Sequence, residues 1–180
     1  MTTGEATDAR SGPSPADAFQ ALADEHLDAA YRLARIILRD QAEAEDATHD
    51  AFLQAWRKWS TLRDPDRFEA WFDRILVNAC RERLRVSSRR ITHDISGELG
   101  LAIADPYAAT LERDTIEQGL AALSPDQRAV VALRYDRDLP ADEIARRLEI
   151  PVGTVHSRIH YALRKLHEVL DGLALEDPTR

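Results

Sequence analysis

Four side chains that can donate or accept hydrogen bonds at a base edge, Ser157, His160, Tyr161 and Arg164, recur at helical spacing near the end of this chain. On a wheel stepping about 100° per residue from Val155, the apolar residues Val155, Ile159, Ala162 and Leu166 gather on one side, flanked by Leu163 and Leu170. The hydroxyl, imidazole, phenol and guanidinium groups point the other way, with Thr154, Arg158 and Lys165 near the edges and no carboxylate before Glu168. Such groups read base edges in a major groove, while Arg and Lys neutralise phosphates. An ordinary amphipathic helix also has a solvated polar face, but an acid-free one is unusual in so acidic a chain, and the pattern favours DNA. Upstream, the run that follows Pro140 reads as one short helix and Gly153 as the turn, giving a helix-turn-helix whose second helix start also suits a phosphate.

A second basic cluster, Arg81, Arg83, Arg85, Arg89 and Arg90, falls at the end of another helical stretch. One or two cations suit a helix C-terminus through its dipole; five suggest a phosphate track. Glu43, Glu45, Asp46 and Asp50 cluster at a helix start, where the dipole favours acids, and by themselves read as a solvated face. No catalytic constellation emerges: there is no glycine-rich phosphate loop, no nucleophile motif, no metal-spaced set of histidines and carboxylates. Neither an enzyme nor a cofactor is therefore expected. The single cysteine, Cys80, lies beside an apolar stripe and reads as a packed thiol.

The 180 residues carry a net charge of -8, which looks wrong for a nucleic-acid binder until its distribution is read. Nine acids against three arginines occupy residues 17–50, whereas residues 81–90 hold five arginines and one glutamate. Residues 151–167 hold two arginines, a lysine, three histidines and no acid. Two basic patches sit in an acidic body, and patches set the field that a phosphate backbone meets. No apolar run approaches the roughly 20 residues of a membrane span, and the N-terminus lacks a basic-then-apolar signal, so no membrane insertion and a cytoplasmic location are expected.

These side chains must be positioned by helices, because long stretches rich in Ala, Leu, Arg and Glu favour helix over strand. The chain divides into a disordered tail (1–13), a helical unit (14–90), a linker (91–114), a second helical unit (115–172) and a C-terminal tail (173–180). Ser14-Pro15-Ala16-Asp17 starts the first helix with a capping box, and Asp40 with Glu43 starts the second. The second helix carries Ala44, Ala47, Ala51, Phe52, Ala55, Trp56 and Trp59 as its apolar stripe. Asp64-Pro65 opens a third, with Phe68, Trp71, Phe72, Ile75, Leu76, Ala79 and Leu84 on one face. The linker loses periodicity and holds five acids against Arg113. Helix resumes at Thr115 with Gln118 in capping position, and Ser124-Pro125-Asp126-Gln127 caps the next.

Ordered in this way, the residues resemble the bacterial sigma-70 family. Residues 44–56 (AEDATHDAFLQAW) resemble region 2.2, residues 68–85 (FEAWFDRILVNACRERLR) the promoter-melting part of region 2, and residues 123–166 region 4, including Glu143-Ile-Ala and Gly153-Thr-Val-His-Ser-Arg158. With regions 2 and 4 joined directly, the resemblance is to the extracytoplasmic function (ECF) group. It implies an all-α chain of two small helical domains on an acidic linker, acting as a dissociable RNA polymerase subunit that directs promoter recognition.

The resemblance also assigns sites. Asp46 and Asp50, supported by Phe52 and Trp56, would bind core RNA polymerase. Ser60, Thr61, Arg63 and Arg67, with Asn78, Arg81, Arg83 and Arg85, would serve the -10 element of promoter DNA, holding a flipped base. Thr154, His156, Ser157, Arg158, His160, Tyr161, Arg164 and Lys165 would serve the -35 element. A partner anti-sigma factor is implied as well. His49, His156 and Tyr161 stand where glutamine, lysine and arginine are usual, and the last two bear on which -35 sequence is read. The rival reading, a stand-alone helix-turn-helix regulator, explains residues 115–170 but leaves the acidic helix and the Trp-rich bundle without a role. A helical interaction protein with a vestigial reader would show no DNA affinity even with polymerase.

Overall fold

The computed structural model describes residues 14–93 and 111–176, with side chains described over 14–87 and 115–172. Seven helices follow in order among the described residues: α1 (Pro15–Leu38), α2 (Gln41–Arg57), α3 (Phe68–His93), α4 (Leu111–Ala122), α5 (Pro125–Tyr135), α6 (Ala141–Leu148) and α7 (Val152–Glu176). Two 3-10 turns, Trp59–Thr61 and Pro65–Arg67, join α2 to α3. The described residues contain no strand.

Local chemistry fixes where the helices begin. Ser14 Oγ accepts from the Asp17 N–H at 3.2 Å, while the Asp17 carboxylate accepts from the Ser14 N–H at 3.1 Å, completing the expected box. A hydrogen bond from the Ser14 hydroxyl at 2.7 Å, and then the one from its N–H, hold the Asp17 carboxyl below its ordinary range. Asp40 accepts from the Glu43 N–H at 2.8 Å, and Ser124 and Gln127 form the second box, before α5. Arg39, in the left-handed region at φ 60°, turns the chain between α1 and α2.

The N-terminal unit packs α1, α2 and α3 together. On α2, Ala44, Ala47, Ala51 and Ala55 are all fully buried, and side chains this small let neighbouring helices approach closely. Thr48, buried among them, donates its hydroxyl to the Ala44 carbonyl at 2.7 Å, so it leaves no unmet polar group. Phe72 stacks on Phe52 at 4.3 Å and on Phe68 at 5.5 Å, and Phe19 meets Trp59 edge-on at 5.4 Å. Cys80 is fully buried, and burial pushes its thiol up to about 12. In the C-terminal unit, α7 carries α4, α5 and α6. Gly119 lets α4 come close to it, since a Cβ there would stand 2.8 Å from Leu166 Cδ2.

The two units are docked, α1 against α5 and α3 against α6. The buried Arg128 donates to the Ile37 carbonyl at 2.7 Å and to the Leu123 carbonyl at 2.8 Å. One guanidinium thus satisfies orphan carbonyls where α1 and α4 end. Asp73 of α3 is also buried and accepts from Arg147 at 2.6 Å and from Arg137 at 3.4 Å. Burial pushes its carboxyl above the ordinary value, against the pull of the two arginines.

Several expectations need correction. Helix α3 runs to His93 and α4 begins at Leu111, so the ends of the expected linker are helical and Thr115 is not a cap. The rest of that segment, like residues 1–13, lies outside the described residues, and α7 extends through Glu176 into the expected tail. Trp59 leaves the α2 stripe for the first 3-10 turn, Trp56 is 45% exposed, and Asp64 caps the second 3-10 turn rather than α3. Gly153 is not the turn. It lies in the first turn of α7 without a positive φ, and Glu149, at φ 53°, takes the left-handed position ending α6. The Ile150 N–H then reaches the Ala145 carbonyl at 3.1 Å, the bond that closes a Schellman motif.

Candidate nucleic-acid interface

Helix α3 buries Phe68, Phe72, Ile75, Leu76, Ala79 and Cys80. Residues offset from that stripe by the helical repeat form a second line: Arg67 at its entry, then Trp71, Arg74, Asn78, Arg81 and Arg85. The spacing alternates four and three, so one helix edge carries four guanidiniums, an amide and an indole over about 27 Å. Sequence reasoning found Arg67, Asn78, Arg81 and Arg85. It assigned Trp71 to the core and overlooked Arg74, although the alternating spacing was there to read. Trp71 does pack against the core, meeting Phe68 at 6.0 Å, but it is half-buried and also lines a crevice of about 550 Å³ with Leu62, Arg67, Arg74, Glu143 and Arg146.

Ser60, Thr61 and Arg63 lie exposed in and after the first 3-10 turn, at the α3 entry. The Thr61 hydroxyl donates to the Lys58 carbonyl at 2.7 Å, and Arg67 approaches Asp64 at 3.6 Å. Further along α3, Asn78 accepts from Arg81 at 3.2 Å and Arg85 pairs with Glu82 at 2.7 Å. Arg83 departs from this line. It is turned toward α2, where it pairs with Glu43 at 3.2 Å, Asp46 at 2.6 Å and Asp50 at 3.6 Å. Its expected place in a phosphate track is thus replaced, in this arrangement, by a clamp on the acidic helix. The side chains of Arg89 and Arg90 lie outside the described residues.

Asp46 and Asp50 remain largely exposed on α2 despite Arg83, and Trp56 beside them meets Phe19 at 5.2 Å. Phe52 is half-buried and spent on stacking with Phe72, so its support is from beneath the surface.

On α7, Val155 and Ala162 are fully buried, as the wheel requires. His156, Ser157, His160, Tyr161 and Arg164 are exposed. Arg164 lies over the Tyr161 ring at 5.1 Å and approaches Glu168 at 3.7 Å, while His160 meets Tyr161 edge-on at 5.6 Å. The Ser157 hydroxyl donates to the Thr154 carbonyl at 3.0 Å, leaving its oxygen able to accept. Two edge residues turn inward. Lys165 donates to the Ala122 carbonyl at 3.2 Å, closing the end of α4, and Arg158 pairs with Asp126 at 2.5 Å. The other oxygen of Asp126 accepts from Arg81 at 2.9 Å, so the α3 line and α7 meet at one carboxylate.

Among the described residues, no group of three or more His, Cys, Asp or Glu side chains is placed to hold a metal ion. No helix among them is long and apolar enough to cross a membrane.

Two exposed arrays, one acidic on α2 and one acid-free on α7, lie on separate helical units of one chain, and the class they fit is that of transcription-initiation proteins. Family models agree: residues 22–90 match Sigma-70 region 2 and residues 119–168 match Sigma-70, region 4. The chain is 35% identical over 171 residues to the ECF RNA polymerase sigma factor SigL of Mycobacterium tuberculosis, covering 92% of this chain and 97% of that protein. SigW of Bacillus subtilis, also an ECF RNA polymerase sigma factor, is 31% identical over 87% of this chain and 91% of its own length. Among solved structures, the sigma factor RpoE in complex with the anti-sigma factor NepR from Bartonella quintana superposes with a TM-score of 0.72 at 25% identity, covering 85% of this chain and 96% of that one. CnrH in complex with the cytosolic domain of CnrY gives 0.62 at 27% identity, over 88% and 95%. The chain belongs to the sigma-70 family, as an ECF RNA polymerase sigma factor.

Proposed function

We propose that within this role α2 docks core RNA polymerase, the α3 line and the preceding 3-10 turns engage the -10 element, and α7 reads the -35 element. The observation that carries the division is electrostatic. Asp46 and Asp50 are exposed on a helix that ends in one unit, and His156, Ser157, His160, Tyr161 and Arg164 are exposed on another with no acid among them. A carboxylate surface suits a basic partner and repels phosphate; the acid-free face does the reverse. Phosphate contacts would position the protein, and the α7 groups would supply base discrimination.

The chain would act in the cell interior with the polymerase, supplying specificity while the polymerase supplies catalysis. An anti-sigma factor is a further expected partner, because a solved structure that it resembles is a sigma factor bound to one. The decisive experiment is in-vitro transcription with core polymerase on a promoter library. Initiation at a shared -10/-35 pair only when the chain is added supports the reading; no added-chain dependence sinks it. A stand-alone regulator would instead bind its operator tightly without polymerase.

A further inference from the structure

We propose that Arg83 is a positioning residue for the polymerase-docking surface, gathering Glu43, Asp46 and Asp50 into one carboxylate cluster that a basic partner meets already ordered. The inference rests on the assignment of Asp46 and Asp50 to core polymerase and adds what aims them. The three acids follow one another by three and then four residues, so they share one side of α2. Arg83 comes from α3, and its three guanidinium nitrogens divide among them. Nη2 donates to Asp46 Oδ2 at 2.6 Å, Nη1 stands 3.6 Å from Asp50 Oδ2, and Nε stands 3.2 Å from Glu43 Oε2.

Depth separates the cation from the anions. The Arg83 side chain is 22% exposed, against 66% for Asp46 and 52% for Asp50. The guanidinium therefore lies behind the carboxylates. It draws one oxygen of each toward itself, and the second oxygen stays available to a partner. One cation among three acids also leaves the cluster two net negative charges with which to attract a basic surface.

Two effects of Arg83 on docking oppose each other. As a cation it repels a basic partner, but that repulsion acts through solvent and is screened over about 8 Å at 0.15 M salt. As a planar fork it holds side chains that binding would otherwise have to immobilise, a gain that salt does not screen. It also offsets the repulsion that drives unheld like charges apart on one helix face. The recessed position of the cation settles the sign: ordering outweighs repulsion. Lysine separates the two effects, because an ammonium keeps the charge but is a single point that cannot address three acids in three directions.

The test titrates core RNA polymerase against full-length chain labelled at its N-terminal amine, read by fluorescence anisotropy at about 0.15 and about 0.3 M salt. Arg83→Lys should weaken the complex about tenfold, because two freed side chains must be ordered on binding, and should leave its salt dependence unchanged. Arg83→Gln should weaken it as well, more so at the higher salt, where the repulsion it also removes counts for less. Circular dichroism checks that each variant is folded at the titration temperature. In an Asp46→Asn, Asp50→Asn background the Arg83→Lys step should cost less than about twofold, since Arg83 acts through those acids. A merely structural Arg83 would cost the same in both backgrounds. Wild-type affinity in Arg83→Lys, tighter binding in Arg83→Gln, or an undiminished loss in the double-Asn background overturns the positioning role. Unchanged affinity in Asp46→Asn with Asp50→Asn, a variant that keeps Arg83, would instead remove the docking assignment and the inference with it.

Discussion

Arg83 on α3 reaches Asp46 on α2 at 2.6 Å, and the same guanidinium stands 3.2 Å from Glu43 and 3.6 Å from Asp50. It is the cation that lets three carboxylates share one side of α2 within two helical turns. Like charges at such spacing repel. Arg83→Gln should therefore destabilise the N-terminal unit by about 1 kcal/mol, the sum of several partly exposed pairs, and lower Tm by about 2–4 °C. It should leave the salt slope of DNA binding unchanged, whereas Arg85→Gln should flatten it by roughly 0.9. A flattened slope in Arg83→Gln would restore it to the phosphate track. Calorimetry and fluorescence titration read the two effects separately.

The acids that Arg83 holds are those assigned to polymerase. Asp46→Arg with Asp50→Arg should abolish binding to core polymerase, because an electrostatic interface would then meet like charges. Both side chains are more than half exposed, but both pair with Arg83, so stability should fall by about 1 kcal/mol while the fold survives. A pull-down with unchanged recovery of core would remove the assignment; circular dichroism checks that the fold survives.

On α7 the structure divides residues that the sequence had grouped. Arg164→Ala and His160→Ala should weaken transcription unequally among -35 variants, since a good base contact is worth roughly 1–3 kcal/mol of discrimination. Lys165→Ala should cost stability and spare discrimination, because its ammonium closes the end of α4 on the Ala122 carbonyl. A promoter-variant panel separates them: a changed sequence preference in Lys165→Ala would count against the capping role.

What could be read from the chain alone follows the range of the forces involved. Ser14, Asp40 and Ser124 announced their helices because a cap is satisfied within three residues. The buried side of α7 was legible from period alone. Partners of Arg83, Arg128, Arg158 and Lys165 were not, because each lies more than 30 residues away or on another helix, and a guanidinium in sequence does not say which anion it will meet. Trp71 was legible only in part. Its indole packs against the core as expected, but its second role in a crevice wall depends on the docking of α6.

The helix-turn-helix should respond to acid through Glu143. Hydrogen bonds from Arg147 and then Arg146 hold its carboxyl below the ordinary value of 4.5. A carboxylate with a depressed folded pKa binds fewer protons than the unfolded chain, so its contribution is complete above about pH 4.5 and is lost as pH falls through the lower folded value. Glu143→Gln should remove that part of the acid sensitivity and leave the curve above pH 5.5 parallel to wild type. Urea titrations at steps between pH 3 and 6 would show it, and an unchanged acid limb would refute the coupling.

The turn between α6 and α7 offers the sharpest contrast between expectation and structure. If Gly153 made the turn, alanine there would strain a left-handed backbone and destabilise the protein. In the structure Gly153 lies within α7, has no positive φ and leaves nothing within 4 Å of an added Cβ. Gly153→Ala should therefore stabilise by up to about 1 kcal/mol through helix propensity, raising Tm by about 2–4 °C. Glu149 is the residue with φ 53°, so Glu149→Gly should relieve the left-handed conformation that a Cβ disfavours. That gain would be offset in part by loss of the exposed pair with Arg74, so its net effect should be the smaller of the two. Thermal melts of both variants decide the matter: a lower Tm in Gly153→Ala would return the turn to the glycine.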